Sequence, residues 1–360
     1  PWSTLFPMRC GFWSTTPIRT PLPAESTVDT DATFMAQAIE VAGAARYRSS
    51  PNPWVGAVVV AEGRVVGAGA TSPPGGAHAE VVALAEAGEQ ARGATLFTTL
   101  EPCCHEGRTG PCTTALVGAG ISRVVVGVAD PDPDVAGGGI AALSGAGVEV
   151  EVGVGAEAVG EQLRPYLHHR RTGLPYVVLK LAATLDGRIA ATDGSSTWIT
   201  GAEARQDVHR LRAQSDAVCV GAGTIRADNP RLTVRDWPGA EAAGARDPRR
   251  VVLGQIPEEA RVSPARSHEG PLDGLLSGLG DDGVVQLLVE GGADVAGRFH
   301  RAGLVDRYVI YLAPAILGGD DSVPMMAGPG SSTMADAARG RFTSITPLGD
   351  DLRIDMVLDI

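Results

Sequence analysis

His78-Ala79-Glu80, followed by Pro102-Cys103-Cys104-His105-Glu106-Gly107-Arg108-Thr109-Gly110-Pro111-Cys112, is the stretch that decides how this chain is built. Catalytic zinc sites take three protein ligands and leave the fourth tetrahedral position open to water, and His78, Cys103 and Cys112 supply that number. Glu80 lies two residues past the histidine, where its carboxylate can face the water without binding the metal. A closed structural knuckle, with Cys104 or His105 as fourth ligand, would have no use for that carboxylate. Five cysteines are an odd count, and Cys10 and Cys219 lie far from the cluster. The pattern suits metal-bound thiolates in a reducing compartment, which points to the cytoplasm.

Outward from these residues, the ligands fall at expected helix starts. Residues 79–87 are alanine-rich, with Val81, Val82 and Leu84 for burial, and read as a helix opened by the histidine. Residues 95–100 read as a strand leading to Cys103, and Pro111-Cys112 opens the next helix with proline at an early position. A helix N-terminus favours thiolate over thiol. Upstream, Phe34, Met35, Ile39, Val41 and Ala42 suit an amphipathic helix beginning near Asp29. Strands at 55–60 and 64–68 flank a Glu62-Gly63 turn, a hairpin signal. With further strands at 123–128 and 148–152, this half is α/β with a central sheet.

The polar, basic, proline-bounded stretch 164–175 reads as a domain boundary, separating 28–170 from 171–360. Beyond it come strands at 176–183, 217–220, 250–253, 285–289, 307–312 and 352–358, and a helix near 202–213, which make a second α/β sheet. No G-x-G-x-x-G follows a strand, so a Rossmann dinucleotide site is not indicated.

Composition bounds the rest. The 360 residues suffice for two domains with cores of their own, and no run approaches the roughly 18 apolar residues of a membrane span. The net charge is −12, with 10 basic against 17 acidic residues up to Arg170 and 20 against 25 beyond it. Neither half carries the basic excess that nucleic-acid binding needs, so a small-molecule substrate is expected. Residues 1–27 are rich in Pro, Ser and Thr and lack the apolar core of a signal peptide, and they read as a disordered leader. Arg9 and Arg19, with no acidic residue before Glu25, leave an organelle-targeting reading open.

The H-x-E and P-C halves match the zinc nucleobase-deaminase signature, but eight residues separate the cysteines where two are usual. That long loop, with its H-x-G-R-T-x-P-C run, and Pro51-Asn52-Pro53-Trp54-Val55-Gly56 resemble the deaminase half of the bifunctional riboflavin-biosynthesis deaminase–reductases. Lys180, the one lysine among 30 basic residues, opens Lys180-Leu181-Ala182-Ala183-Thr184-Leu185-Asp186-Gly187-Arg188, which resembles the first strand of the reductase half. Gly194-Ser195-Ser196-Thr197-Trp198-Ile199, the run from Val220 to Arg235 and Val289-Glu290-Gly291-Gly292 extend the resemblance in order.

The resemblance implies a cytidine-deaminase-like α/β/α domain followed by a dihydrofolate-reductase-like α/β domain. It implies zinc-dependent hydrolytic deamination of a diaminopyrimidinone ribosylamine 5′-phosphate, then NADPH reduction of the ribosyl group to ribityl, in a homo-oligomer. Glu80, Lys180 and Asp228 would serve the chemistry, and His78, Cys103 and Cys112 would hold Zn2+. Ala182, Trp198, Thr224, Asp228, Gly292, Ala293, Asp294, Val295 and Ala296 would meet NADPH. Asn52, Arg108, Thr109, Ser196, Arg212, Leu232, Arg235 and Glu290 would meet the substrate, with Arg212, Leu232 and Arg235 around the phosphorylated ribose.

The chain departs from the family pattern in several places. Ala293-Asp294 stands for Pro-Thr, Leu253 for an aspartate, and Thr71, Ala77, Cys104 and Gly110 for histidine, proline, serine and proline. The stretch 261–275 looks too short for the strand expected there. Two alternatives follow: a deaminase whose reductase half has become a scaffold, and a zinc-stabilised binding protein without chemistry.

Overall fold

The computed structural model describes residues 30–106, 110–241 and 243–359. The leader and the substrate candidates Arg108 and Thr109 lie outside the described residues.

The first half runs α1 (Thr30–Gly43), β1 (Gly56–Ala61), β2 (Arg64–Ala70), α2 (Ala79–Ala87), β3 (Thr95–Leu100), α3 (Cys112–Ala119), β4 (Arg123–Val128), α4 (Gly138–Gly145), β5 (Glu149–Val152), α5 (Ala156–Gln162) and α6 (Arg164–Thr172). Its sheet has the order β2-β1-β3-β4-β5, antiparallel at β1 and parallel from β3 onward. Strand residues 57–60 and 124–126 are Val or Ala buried on both faces, so helices must cover both sides. Two glycines show how closely they do. A Cβ on Gly56 would lie 2.0 Å from Ala38 O of α1, and one on Gly69, paired with Ala57, would lie 2.2 Å from Ala79 O of α2. Neighbouring positions along β1 point to opposite faces, so α1 and α2 cover opposite sides of the sheet.

The second half runs β6 (Tyr176–Thr184), β7 (Arg188–Ala190), α7 (Ala202–Ala213), β8 (Ala217–Gly221), α8 (Ala222–Asp228), β9 (Arg249–Leu253), β10 (Arg266–His268), α9 (Leu272–Asp281), β11 (Gln286–Val289), α10 (Ala293–Arg301), β12 (Arg307–Ala313), β13 (Val323–Pro324), β14 (Gly340–Leu348) and β15 (Asp351–Leu358). Eight strands form one sheet in the order β10-β9-β8-β11-β6-β12-β15-β14. It is parallel up to β12 and closes with the antiparallel pairs β12/β15 and β15/β14. One apolar cluster fills each face, built around Phe299 and Leu275 on one side and Tyr311 and Leu211 on the other.

The stretch 164–175, read as the domain boundary, holds α6, with Tyr166, Leu167 and His169 buried. One expectation is corrected. The stretch 261–275 does hold a strand, the three-residue β10, which pairs in parallel with β9.

Candidate functional site

His78 is the N-cap of α2, and Cys112 is the first residue of α3 with Pro111 as its cap. Cys103 sits beyond the end of β3 and accepts the Cys112 backbone N–H at 3.4 Å. His78 Nδ1 is 3.2 Å from Cys112 Sγ and 3.5 Å from Cys103 Sγ, and the three ligand atoms lie within 4.8 Å of one another. Two sulfurs and one imidazole nitrogen converging, with no fourth protein ligand among the described residues, are the donor set of an open tetrahedral zinc site. The Cys112 side chain, by hydrogen bond, holds the Cys103 thiol below its ordinary range, which favours the thiolate that a metal ligand must be.

Glu80, in the first turn of α2, is buried, and burial lifts its carboxyl to about 7. A carboxyl near neutrality can both take and return a proton. Asn52 lies in the loop between α1 and β1, its N–H donated to Ser49 O. Thr71, which stands in the place of a family histidine, is structural: its Oγ1 accepts the Val55 N–H at 3.0 Å.

Sequence reasoning missed a buried carboxylate two residues from Cys103. Glu101 is buried and accepts four backbone N–H groups, from Asp130, Gly137, Gly139 and Ile140, at 2.9 to 3.2 Å. It thereby joins the end of β3 to the start of α4, two residues before the metal ligand. A carboxylate directly ahead of Pro102-Cys103 was the available signal.

The second site is a cavity of about 1410 Å3 at the carboxyl ends of β6, β8 and β11. Open α/β sheets bind ligands at that edge. Its volume exceeds the ~300–1,000 Å3 of a single-ligand pocket, so a nucleotide and a second ligand fit together. Lys180, Ala182, Ser196, Trp198, Thr224, Asp228, Leu232, Arg235, Glu290, Gly292, Ala293, Asp294 and Val295 all line it. Ala296 does not: it is fully buried in the core, and its N–H is spent on Gly292 O within α10.

Arg212 lines the cavity with Leu232 and Arg235, and its guanidinium forks onto Glu290, Nε to Oε1 at 2.6 Å and Nη2 to Oε2 at 2.8 Å. Burial opposes the charge on Glu290, but Arg212 overcomes it and holds the carboxyl below its usual range. Lys180 Nζ stands 4.0 Å from Glu290 and 5.9 Å from the Tyr311 ring centroid, and burial lowers its pKa. Asp228 is exposed at the end of α8 on the cavity wall, and the carboxylate paired with Lys180 is Glu290. Trp198 is 73% exposed on the rim, with the Arg205 guanidinium 4.5 Å above its ring. His209, which sequence reasoning passed over, is buried in the cavity wall, its Nδ1 3.0 Å from Thr233 O.

A ligand set for catalytic zinc at two helix starts, and a nucleotide-sized cavity with a near-buried lysine at the strand ends of a second sheet, define a two-site enzyme: a hydrolase joined to an oxidoreductase. The comparisons agree. The profile of the RibD C-terminal domain matches residues 175–354, and that of the cytidine and deoxycytidylate deaminase zinc-binding region matches residues 28–128. Riboflavin biosynthesis protein RibD of Mycobacterium tuberculosis is 46% identical over 334 residues, covering 90% of this chain and 96% of that protein. The Escherichia coli protein of the same name is 38% identical over 365 residues, with 91% and 99% covered. In structure, RibD of Acinetobacter baumannii matches at TM-score 0.87 and 38% identity, over 92% of this chain and 99% of that one. A diaminohydroxyphosphoribosylaminopyrimidine deaminase/5-amino-6-(5-phosphoribosylamino)uracil reductase of Thermotoga maritima matches at TM-score 0.82 and 33% identity, with the same coverage. The chain belongs to the RibD family of riboflavin biosynthesis. It is a bifunctional enzyme, a zinc deaminase and an NADPH-dependent reductase acting on a small phosphorylated pyrimidine, and the alternative of a lapsed reductase half falls away.

Proposed function

We propose that the chain deaminates 2,5-diamino-6-(5-phosphoribosylamino)pyrimidin-4(3H)-one in residues 28–170, then reduces the ribosyl group of the product in residues 171–360 to give 5-amino-6-(5-phosphoribitylamino)uracil. The observation that carries this reading is the coexistence of both sites in one chain: the His78, Cys103, Cys112 centre beside buried Glu80, and the Lys180–Glu290 cavity.

His78, Cys103 and Cys112 fit zinc, which when bound lowers the pKa of water to ~7 and so supplies hydroxide at neutral pH. Glu80 takes the water's proton and returns it to the departing ammonia, a role its near-neutral carboxyl suits. Asn52 holds the pyrimidine ring, and Arg108 and Thr109 meet the phosphate.

In the second site, NADPH when bound would supply a hydride for C1′ of the opened ribose. The α10 N-terminus at Gly292 and Ala293 offers free N–H groups to the cofactor diphosphate, and Asp294 is exposed there. Ala182, Trp198, Thr224, Asp228 and Val295 complete the cofactor wall, while Ser196 and Leu232 hold the substrate. Lys180 carries the proton that the ribose oxygen requires, its ammonium held near Glu290. Arg212 orients Glu290 toward the sugar hydroxyls, so the phosphate falls to Arg235.

The protein works in the cytoplasm as a homo-oligomer. Support for the assembly comes from β14, an edge strand with Phe342 63% and Ile345 56% exposed. The test is to incubate the zinc-loaded protein with the diamino substrate, with and without NADPH, and weigh the products. The deaminated product is expected alone without NADPH and the ribityl product with it; deamination alone under both conditions overturns the reading.

A further inference from the structure

The segment that carries Arg235 is built unlike the rest of the cavity wall. Leu232 has φ +55°, in the left-handed region that side chains other than glycine occupy at a cost, so the turn needs holding from outside. The hold comes from α7. His209 Nδ1 is 3.0 Å from Thr233 O and 3.3 Å from Arg235 N, and Arg212 Nη1 donates to the same Thr233 oxygen at 3.3 Å. Arg212 is itself fixed by its fork on Glu290. Burial, then the nearby charges of Arg212 and Arg235, lower the pKa of His209, so the ring is neutral at physiological pH. A neutral Nδ1 either donates to Thr233 O or accepts from Arg235 N, and both bonds pin the same three residues. The Arg235 guanidinium, by contrast, is half exposed on the cavity, with Nη1 on Thr233 Oγ1 at 3.0 Å.

We propose that His209 is the positioning residue of the phosphate arm: it clamps the main chain of residues 233–235 to α7 so that Arg235 meets the substrate phosphate already oriented. The inference rests on the reading of Arg235 as the group that binds the phosphate. A pre-oriented guanidinium binds a phosphate without first losing the freedom of its backbone, so the effect belongs to substrate binding and not to turnover.

The experiment compares H209F, H209N, R235A and the H209F/R235A double variant in the full-length zinc-loaded enzyme. The reductase substrate is 5-amino-6-(5-phosphoribosylamino)uracil, alongside its dephosphorylated form. H209F should raise KM for the phosphorylated substrate by about tenfold, the effect of one hydrogen bond to a charged partner's support, with kcat nearly unchanged. NADPH affinity and the deaminase rate should stay at the native level. H209N, whose short amide reaches the place of Nδ1, should restore most of the loss. H209F should cost nothing further in the R235A background or on the dephosphorylated substrate. An unchanged KM in H209F, an equal penalty on both substrates or additivity with R235A each overturns the proposal. R235A that leaves KM unchanged overturns the phosphate reading itself, whereas a raised KM in R235A with native H209F removes His209 alone. Should H209F lose NADPH binding through misfolding, H209N against H209Q carries the test, since Gln displaces the amide by one bond; equal KM values for the two overturn the proposal.

Discussion

Glu80 and Glu290 are both carboxylates withdrawn from solvent, and their surroundings assign them opposite work. Burial outweighs the nearby His78 at Glu80, so its carboxyl rises to about 7 and can exchange a proton. Glu290 is forked by Arg212 and stays ionised, a fixed charge that holds Lys180 in place. E80Q should therefore lower deamination by roughly 100-fold or more while zinc per chain, measured by atomic emission, stays at one. Native-like ammonia release from E80Q would sink the assignment. E290A leaves the near-buried Arg212 without its partner and should cost about 3 kcal/mol in urea unfolding of the second half, along with reductase activity. No change in the unfolding midpoint would show that the pair is merely incidental.

At the scale of elements, metal affinity depends on how closely helices sit on strands. The start of α2 carries both His78 and Glu80, and it reaches its position because β2 presents Gly69 beneath Ala79. Likewise α4 presses Gly139 onto the chain next to Cys103: a Cβ there would lie 1.9 Å from Pro102 O and 3.2 Å from Glu101 Oε1. G139A must push this loop away, breaking the Glu101 bonds to Gly139 and Ile140 and moving Cys103. The expected result is about tenfold weaker zinc binding in a chelator competition, with NADPH binding by the other half intact, consistent with the effect of disturbing residues that support metal ligands. Unaltered zinc affinity would show that Glu101 does not set the site.

The two halves meet through polar and aromatic contacts and through Val285, which packs into the apolar core of the first half. Arg46, after α1, stacks 3.6 Å from the Trp54 ring centroid and donates to Gln286 Oε1 at 2.6 Å at the start of β11. Burial lowers its pKa to about 10, still leaving it charged. Tyr47 packs on Trp237 at 4.9 Å, and His169 of α6 meets Gly280 O of α9 at 3.2 Å. Burial, then Arg170, depress the His169 pKa below 6.5. The unfolded chain then binds more protons than the folded one once pH falls below about 6.5, so this histidine makes stability fall on acidification and rise toward neutral pH. H169Q, which cannot charge, should show a smaller drop in Tm between about pH 7 and pH 5 than the native chain. Parallel Tm curves for the two proteins would exclude His169 as a source of that slope.

The sequence by itself determined the deaminase centre and most of the strands. The metal ligands are His and Cys in short contiguous motifs, two of them at helix starts and Cys103 just past a strand, and strands 95–100 and 123–128 were bounded by their own apolar runs. What only the tertiary structure decided lies between distant segments. Arg212 and Glu290 are 78 residues apart, so nothing local could show that the arginine forks onto that carboxylate. Lys180 finds Glu290 because β6 and β11 are neighbours in the sheet. His209 looked like one polar residue on an ordinary helix until the Leu232 turn folded back over it. The three-residue β10 and the helix α6 across the domain boundary were hidden for the same reason: each is stabilised by the strand or core it packs against, not by its own composition.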